Sequence, residues 1–206
     1  MKTHNDTHQL LERIAEGQST AINSLLERFR ARIRNIVEVR IDDRVRGRFD
    51  PSDVVQDAMV EAAKRLPDYA RERPIPFYPW LRRIAIDRLL DLHRRHLDAA
   101  RRSVRREIST DLELSGASRQ SLVNSLMAPD GDSPSVVQRR REFAQWLVER
   151  LSHDDREVLV LRYLEQATNH EAAVILGISD NACAQRHVRA LRRVRNFLNE
   201  GEVYND

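Results

Sequence analysis

Two stretches of this sequence carry side chains suited to act on another molecule. From 184 to 195 there are five arginines, at 186, 189, 192, 193 and 195, and no acid. A guanidinium forks onto phosphate oxygens and onto the edge of guanine, so an acid-free row of them suits nucleic acid. At about 100° per residue, Cys183, Ala190, Leu191, Val194 and Leu198 share one side of a helix. Asn181, Gln185, Val188, Arg189 and Arg192 lie opposite, on a face that can enter a major groove. The second stretch is 77 to 95, where Phe77, Tyr78 and Trp80 precede an arginine-rich helix. The whole chain has Phe 5, Tyr 4 and Trp 2, so this is a concentration of scarce rings. Between 81 and 106 stand nine arginines and three aspartates. Leu81, Ala85, Ile86, Leu89, Leu90 and Leu92 form an apolar arc, with Arg83, Arg88, Arg94 and Arg95 on the other side. Rings beside such a face can stack on unpaired bases, each worth about 1 to 3 kcal/mol, enough to offset the unstacking of a base. Phe77 and Trp80 can equally plug the entrance of the helix into a core.

A third face has the opposite charge. Asp50, Asp53, Asp57 and Glu61 outweigh Lys64 and Arg65 on the helix that follows Asp50, which would repel DNA and suits a protein partner. Cys183 is the single cysteine, which excludes a disulfide within the chain and a multi-cysteine zinc site. It reads as a small core residue, and His187 as a packing residue. His153-Asp154 has the look of a metal phosphohydrolase pair, but no second histidine-rich cluster stands at ligand spacing, and His93 and His96 lie in an arginine helix. No cofactor is called for.

These residues need helices to hold them. Of the 35 basic side chains in 206 residues only Lys2 and Lys64 are lysine, the net charge is +3, and the pI is 9.4. No run approaches the roughly 20 apolar residues of a membrane span, and MKTHNDTHQ lacks the apolar centre of a signal peptide, so a cytoplasmic protein is expected. Apolar residues recur at three and four spacing with little alternation, which predicts an all-α protein. Helices are expected over 7–16, 19–42, 50–66, 79–107, 135–151, 154–165, 169–176 and 180–199, with a proline-punctuated loop over 67–79. The segment 109–134 has no aromatic residue, is rich in Ser, Gly and Asp, and sets one arginine against four acids, so it reads as a flexible linker. Two small helical domains follow, 9–107 and 135–200, joined by 108–134. In the second, Leu176-Gly177-Ile178-Ser179 joins a short helix to the arginine-rich one, with Ala173, Gly177 and Cys183 at the small, turn and anchor positions of a helix-turn-helix.

Taken together the pieces resemble the extracytoplasmic-function (ECF) sigma factors of bacterial RNA polymerase. Asp50-Pro51-Ser52-Asp53-Val54-Val55-Gln56-Asp57-Ala58 is similar to the family's region 2.2. Phe77-Tyr78-Pro79-Trp80-Leu81-Arg82-Arg83-Ile84-Ala85 is similar to regions 2.3 and 2.4, and Leu151 to Leu164 with the helix-turn-helix to region 4. The resemblance implies a promoter-specificity subunit without catalysis of its own. Asp53, Val54, Gln56 and Asp57 would contact the beta-prime clamp helices of core RNA polymerase. Tyr78, Trp80, Arg83, Asp87, Arg88, Arg94 and Arg95 would hold promoter DNA at the minus-ten element, with the loop 67–77 forming a pocket for a flipped base. Asn181, Gln185, Arg186, Arg189 and Arg192 would read the minus-thirty-five element while this domain docks on the beta flap, and the acidic linker would thread channels that normally carry nucleic acid. Ile86-Asp87 stands where the family often has Arg-Asn, and Asn169-His170-Glu171 where it usually has Tyr-Glu-Glu, so no promoter preference carries over. Few residues flank the outermost helices, so no attached sensory domain is expected, and control falls to an anti-sigma factor, modification or expression. A stand-alone helix-turn-helix regulator with a helical dimerisation lobe is the alternative; it would bind duplex DNA tightly without polymerase.

Overall fold

The computed structural model describes residues 2–41, 50–100, 114–126 and 134–203, and every regular element among them is helical. In order these are α1 (Lys2–Ala15), α2 (Thr20–Arg40), α3 (Pro51–Glu72), α4 (Phe77–Ala100), α5 (Gly116–Leu126), α6 (Pro134–Arg150), α7 (His153–Leu159), a π-helical turn (Val160–Leu164), α8 (Asn169–Leu176) and α9 (Asp180–Val203). The chain divides into two units, Met1–Glu113 and Leu114–Asp206.

In the first unit α2 packs against α1, α3 and α4. Of the apolar face formed by Ile22, Leu25, Leu26, Phe29, Ile33, Ile36 and Val37, all but the half-buried Ile22 and Phe29 are buried, and the helices it packs on bury Val54, Val55, Ala58, Met59, Ala62 and Leu66 of α3 and Leu81, Ile84, Ala85 and Leu89 of α4. Asp50 starts α3. Its carboxylate accepts the Ser52 N–H at 2.8 Å, which holds its pKa below the ordinary value, and Pro51 fills the first helical position, where no N–H is needed.

The expected loop over 67–79 is corrected. Helix α3 continues through Pro67 to Glu72, and only 73–76 separate it from α4. An interior proline forfeits one backbone hydrogen bond. Beyond it, however, Tyr69 and Ala70 are buried, and the Tyr69 hydroxyl donates to the Ile75 carbonyl at 2.8 Å. That packing carries the helix past the break, and burial pushes the Tyr69 phenol up to about 12. Arg73 then stops α3 in a left-handed conformation, φ 43°, with its N–H on the Tyr69 carbonyl. The next helix begins at Phe77, two residues before Pro79, which the first turn tolerates because its N–H groups have no helical acceptor. The continuation expected to 107 runs past Ala100 into residues outside those described.

In the second unit the linker reading is corrected in part. Residues 116–126 form α5, packed on α6 and the π turn with Leu122 and Val123 fully buried. The unit therefore starts near Leu114; residues 108–113 and 127–133 of the expected linker lie outside the described residues. Its core joins Leu147 of α6, Val158 and Leu159 of α7, Val160 and Leu161 of the π turn, Ala172 and Ala173 of α8, and Cys183, Ala190 and Val194 of α9. Side chains mark three of the helix starts. Ser152 accepts from Asp155 N–H, Thr168 and Glu171 form a reciprocal capping box, and Ser179 accepts from Ala182 N–H. Gly177, φ +64°, ends α8, and the next N–H, from Ile178, reaches back to the Ala173 carbonyl at 3.0 Å. That turn sets the angle at which α9 leaves.

Candidate nucleic-acid interface

Helix α9 is held from three sides by its own unit. Cys183, Ala190 and Val194 are buried, and burial pushes the Cys183 thiol above its ordinary pKa, which keeps it protonated and inert. Asp155, itself 5% exposed, takes the Arg193 guanidinium, and Trp146 of α6 meets Phe197 edge-on at 5.5 Å. At the helix start Asn169 donates to the Asp180 carbonyl at 2.8 Å and His170 lies 3.1 Å from the Asp180 carboxylate, so the two residues tie α8 to α9. What remains outward is Asn181, Gln185, Val188, Arg189 and Arg192, all exposed. Arg186 differs. It is half-buried and its guanidinium reaches Asp154 of α7 at 3.2 Å, so an acid restrains it before any phosphate does.

His187 turns inward, its ring 5.7 Å from that of Tyr163, and Nε2 is buried with no hydrogen-bond partner among the described residues. Burial, and secondarily the Arg162 charge, lowers its pKa from the ordinary 6.5. The unfolded chain therefore takes up this proton more readily than the folded one. Stability is retained above pH 6.5 and falls as pH drops through the window below it. Urea unfolding followed by Trp146 fluorescence should show that decline between neutrality and mild acid, and His187→Gln should flatten it.

In the first unit the surface of α4 sorts the arginines. Arg83, Asp87, Arg94 and Arg95 are exposed, and of these Arg94 pairs with Asp91 at 2.5 Å. Arg88 is half-buried between Glu61 of α3 at 3.8 Å and Asp91 at 3.6 Å, so it links two helices. Glu61 is held below its ordinary pKa chiefly by the Arg65 hydrogen bond, with the charges of Arg65 and Arg88 adding to it. Among the rings, Trp80 is half-exposed and stacks on Tyr69 at 4.4 Å, one turn before Arg83. Phe77 is buried, edge-on to Phe29 at 4.8 Å.

On α3 the residues Asp53, Gln56 and Asp57 are exposed in one row, and Val60 continues it at 48% exposure.

Models of two protein families match these units. Sigma-70 region 2 covers residues 23–98, which takes in most of α2, all of α3 and nearly all of α4. Sigma-70 region 4 covers residues 146–194, from the end of α6 into α9. The ECF RNA polymerase sigma-E factor of Escherichia coli K12 is 25% identical over 91% of this chain and 91% of its own. The RNA polymerase sigma factor CnrH of Cupriavidus metallidurans is 32% identical over 154 residues, covering 72% of this chain and 73% of CnrH. The chain belongs to the ECF sigma factors. It is thus a promoter-specific factor for transcription initiation, in a family of non-enzymatic subunits that bind core RNA polymerase and promoter DNA. A probable sigma factor of Xanthomonas campestris, RfaY, is 31% identical over 71% of this chain, which spans only 33% of RfaY's length. The fold is also that of solved CnrH in complex with the cytosolic domain of CnrY, TM-score 0.52 at 24% identity, covering 94% of this chain and 97% of that one.

Within the sigma factor two expected contact residues are corrected. Val54 is 2% exposed and belongs to the core of region 2, leaving Asp53, Gln56 and Asp57 as the outward residues of its row. Tyr78 is 1% exposed, with the Arg32 guanidinium carbon 3.5 Å from its ring centroid, so its face is already covered. Val60, exposed on the same row, is a residue that the sequence reading did not single out. Its position, three after Asp57 and seven after Asp53, is the signal that would have found it. Among the described residues no helix is long and apolar enough to cross a membrane.

Proposed function

We propose that this sigma factor divides its work among three faces. Helix α9 enters the major groove at the minus-thirty-five element with Asn181, Gln185, Arg189 and Arg192, while Arg186, restrained by Asp154, takes a flanking phosphate. Helix α4 holds the opened minus-ten strand with Trp80, Arg83, Asp87, Arg94 and Arg95. Helix α3 docks on the beta-prime clamp helices through Asp53, Gln56, Asp57 and the apolar Val60, and the second unit rests on the beta flap. The protein carries out no catalysis itself and works in the cytoplasm, beside the polymerase. CnrH has been solved with the cytosolic domain of CnrY, which supports a protein partner of that kind, an anti-sigma factor, as the source of control here.

The observation that carries this reading is the segregation of charge. The outward row of α9 from 184 to 195 contains no acid, whereas the outward row of α3 begins with Asp53 and Asp57 and meets no base until Lys64. The first suits a polyanion and the second would be repelled by one.

Core polymerase supplied with this protein should initiate at a defined set of promoters, and sequencing the transcripts would map them. Arg189→Ala should weaken binding of holoenzyme to the upstream element by about 1 to 3 kcal/mol and leave core binding unchanged. Initiation at random sites, or promoter affinity indifferent to Arg189→Ala, would overturn the assignment of α9.

A further inference from the structure

Among the described residues two large hydrophobic side chains are markedly exposed, Val60 and Val188, and each falls inside a row of polar residues assigned above to a partner. Val188, at 45% exposure, has the more constrained surroundings. With Val188 as zero and about 100° per residue, Arg195 and Asn181 lie within roughly 20° of it, Ala184 and Arg192 within roughly 40°, and Gln185 at roughly 60°. All six are exposed, so Val188 sits near the middle of the outward row of α9. Every neighbour except Ala184 is an amide or a guanidinium, and the nearest acids that pair with this helix, Asp154 and Asp155, engage Arg186 and Arg193 on its flank.

A branched aliphatic group at the centre of a face that meets a major groove has few complements there. The groove floor presents carbonyl oxygens, ring nitrogens and amino groups, and one apolar substituent, the C5-methyl of thymine. Resting on the α9 reading above, we infer that Val188 is a specificity-determining residue, selecting thymine at one position of the upstream element by contact with its methyl group. Gln185 stands one turn earlier, about 4.5 Å along the axis. That is comparable to the roughly 3.4 Å between base pairs, so its amide addresses the neighbouring pair, where a carboxamide pairs with N6 and N7 of adenine. The valine thus reads a group that no hydrogen bond can read.

The test removes the methyl without touching any hydrogen-bonding edge. Holoenzyme is assembled from core polymerase and the full chain, and a duplex pool randomised over the upstream element is taken through rounds of selection. In a selected duplex each upstream thymine is replaced in turn by deoxyuridine. At one position wild-type affinity should fall roughly fourfold, the value of one buried methyl-sized group. Val188→Ala, an exposed change that favours helix, should lose a similar factor on the thymine duplex and no longer distinguish thymine from deoxyuridine. A selected pool without a fixed thymine, or wild-type indifference to every deoxyuridine while Arg189→Ala still weakens binding, overturns the methyl contact and leaves the helix assignment standing. Indifference to deoxyuridine, Val188→Ala and Arg189→Ala alike overturns both.

Discussion

Reversing two charges on α3, Asp53→Arg together with Asp57→Arg, is expected to weaken binding of the protein to core polymerase by tenfold or more, about 1.4 kcal/mol, without unfolding region 2. Both side chains are exposed and lie four residues apart on the outward row of the helix, so the change alters what a partner meets and not what the core contains. Like charges set opposite each other at an interface cost several kcal/mol, and rim charges at this exposure are partly screened, which places the expected loss at the lower end. Asp53 also stands in the first turn of α3, where a carboxylate favours the helix dipole, so the Arg variant should give up about 0.3 to 1 kcal/mol of stability. The two effects separate readily. Sedimentation or fluorescence anisotropy with core enzyme reports the first, thermal unfolding of the free protein the second. Raising the salt should diminish the difference between wild type and variant in the first measurement. Binding unchanged by the double reversal would move the polymerase contact away from α3.

Much of this arrangement was legible in the residues, for identifiable reasons. The helix-turn-helix was readable because steric demands there are local. A glycine must supply the positive φ at 177, and small side chains must stand at 173 and 183 where two helix backbones approach, and the three positions have such residues. The outward row of α9 followed from the same periodicity. What escaped depends on tertiary contacts. Proline at 67 signals a helix end by local rules, yet α3 passes through it because Tyr69 and Ala70 beyond it find buried places. The composition of 109–134 signals a linker, yet Leu122 and Val123 suffice to lay 116–126 onto α6 and the π turn. Arg88 shares its arc with Arg95 in projection, but Glu61 on the neighbouring helix takes it, and which arginine meets an acid across a helix pair is set by packing. Likewise Tyr78 and Trp80 are indistinguishable as aromatics near a basic helix. Only the start of α4 at Phe77 decides which ring faces in.

Tyr78→Ala therefore should act on folding before it acts on DNA. The ring is 1% exposed, flanked on one face by the Arg32 guanidinium at 3.5 Å, and it enters the helix next to Phe77, whose ring joins Phe29, Tyr69 and Trp80 in one cluster. Truncating a buried aromatic costs about 3 to 5 kcal/mol through lost transfer energy and the cavity left behind, and losing the cation–π contact adds about 0.5 to 2 kcal/mol. Against a domain stability of about 5 to 15 kcal/mol, region 2 would be partly unfolded near physiological temperature. Tyr78→Phe keeps the ring and the volume, so it should retain most of the stability and also promoter opening. The pair of variants discriminates between the two roles. If Tyr78 served as a base-stacking platform, Tyr78→Ala would unfold at the wild-type urea midpoint and fail only in opening. If it is the core residue described here, the Trp80 fluorescence transition of Tyr78→Ala shifts to markedly lower urea and any opening defect follows from that shift. Trp80→Ala provides the contrast, because Trp80 is half-exposed with one face stacked on Tyr69; its loss should impair opening out of proportion to its smaller effect on unfolding.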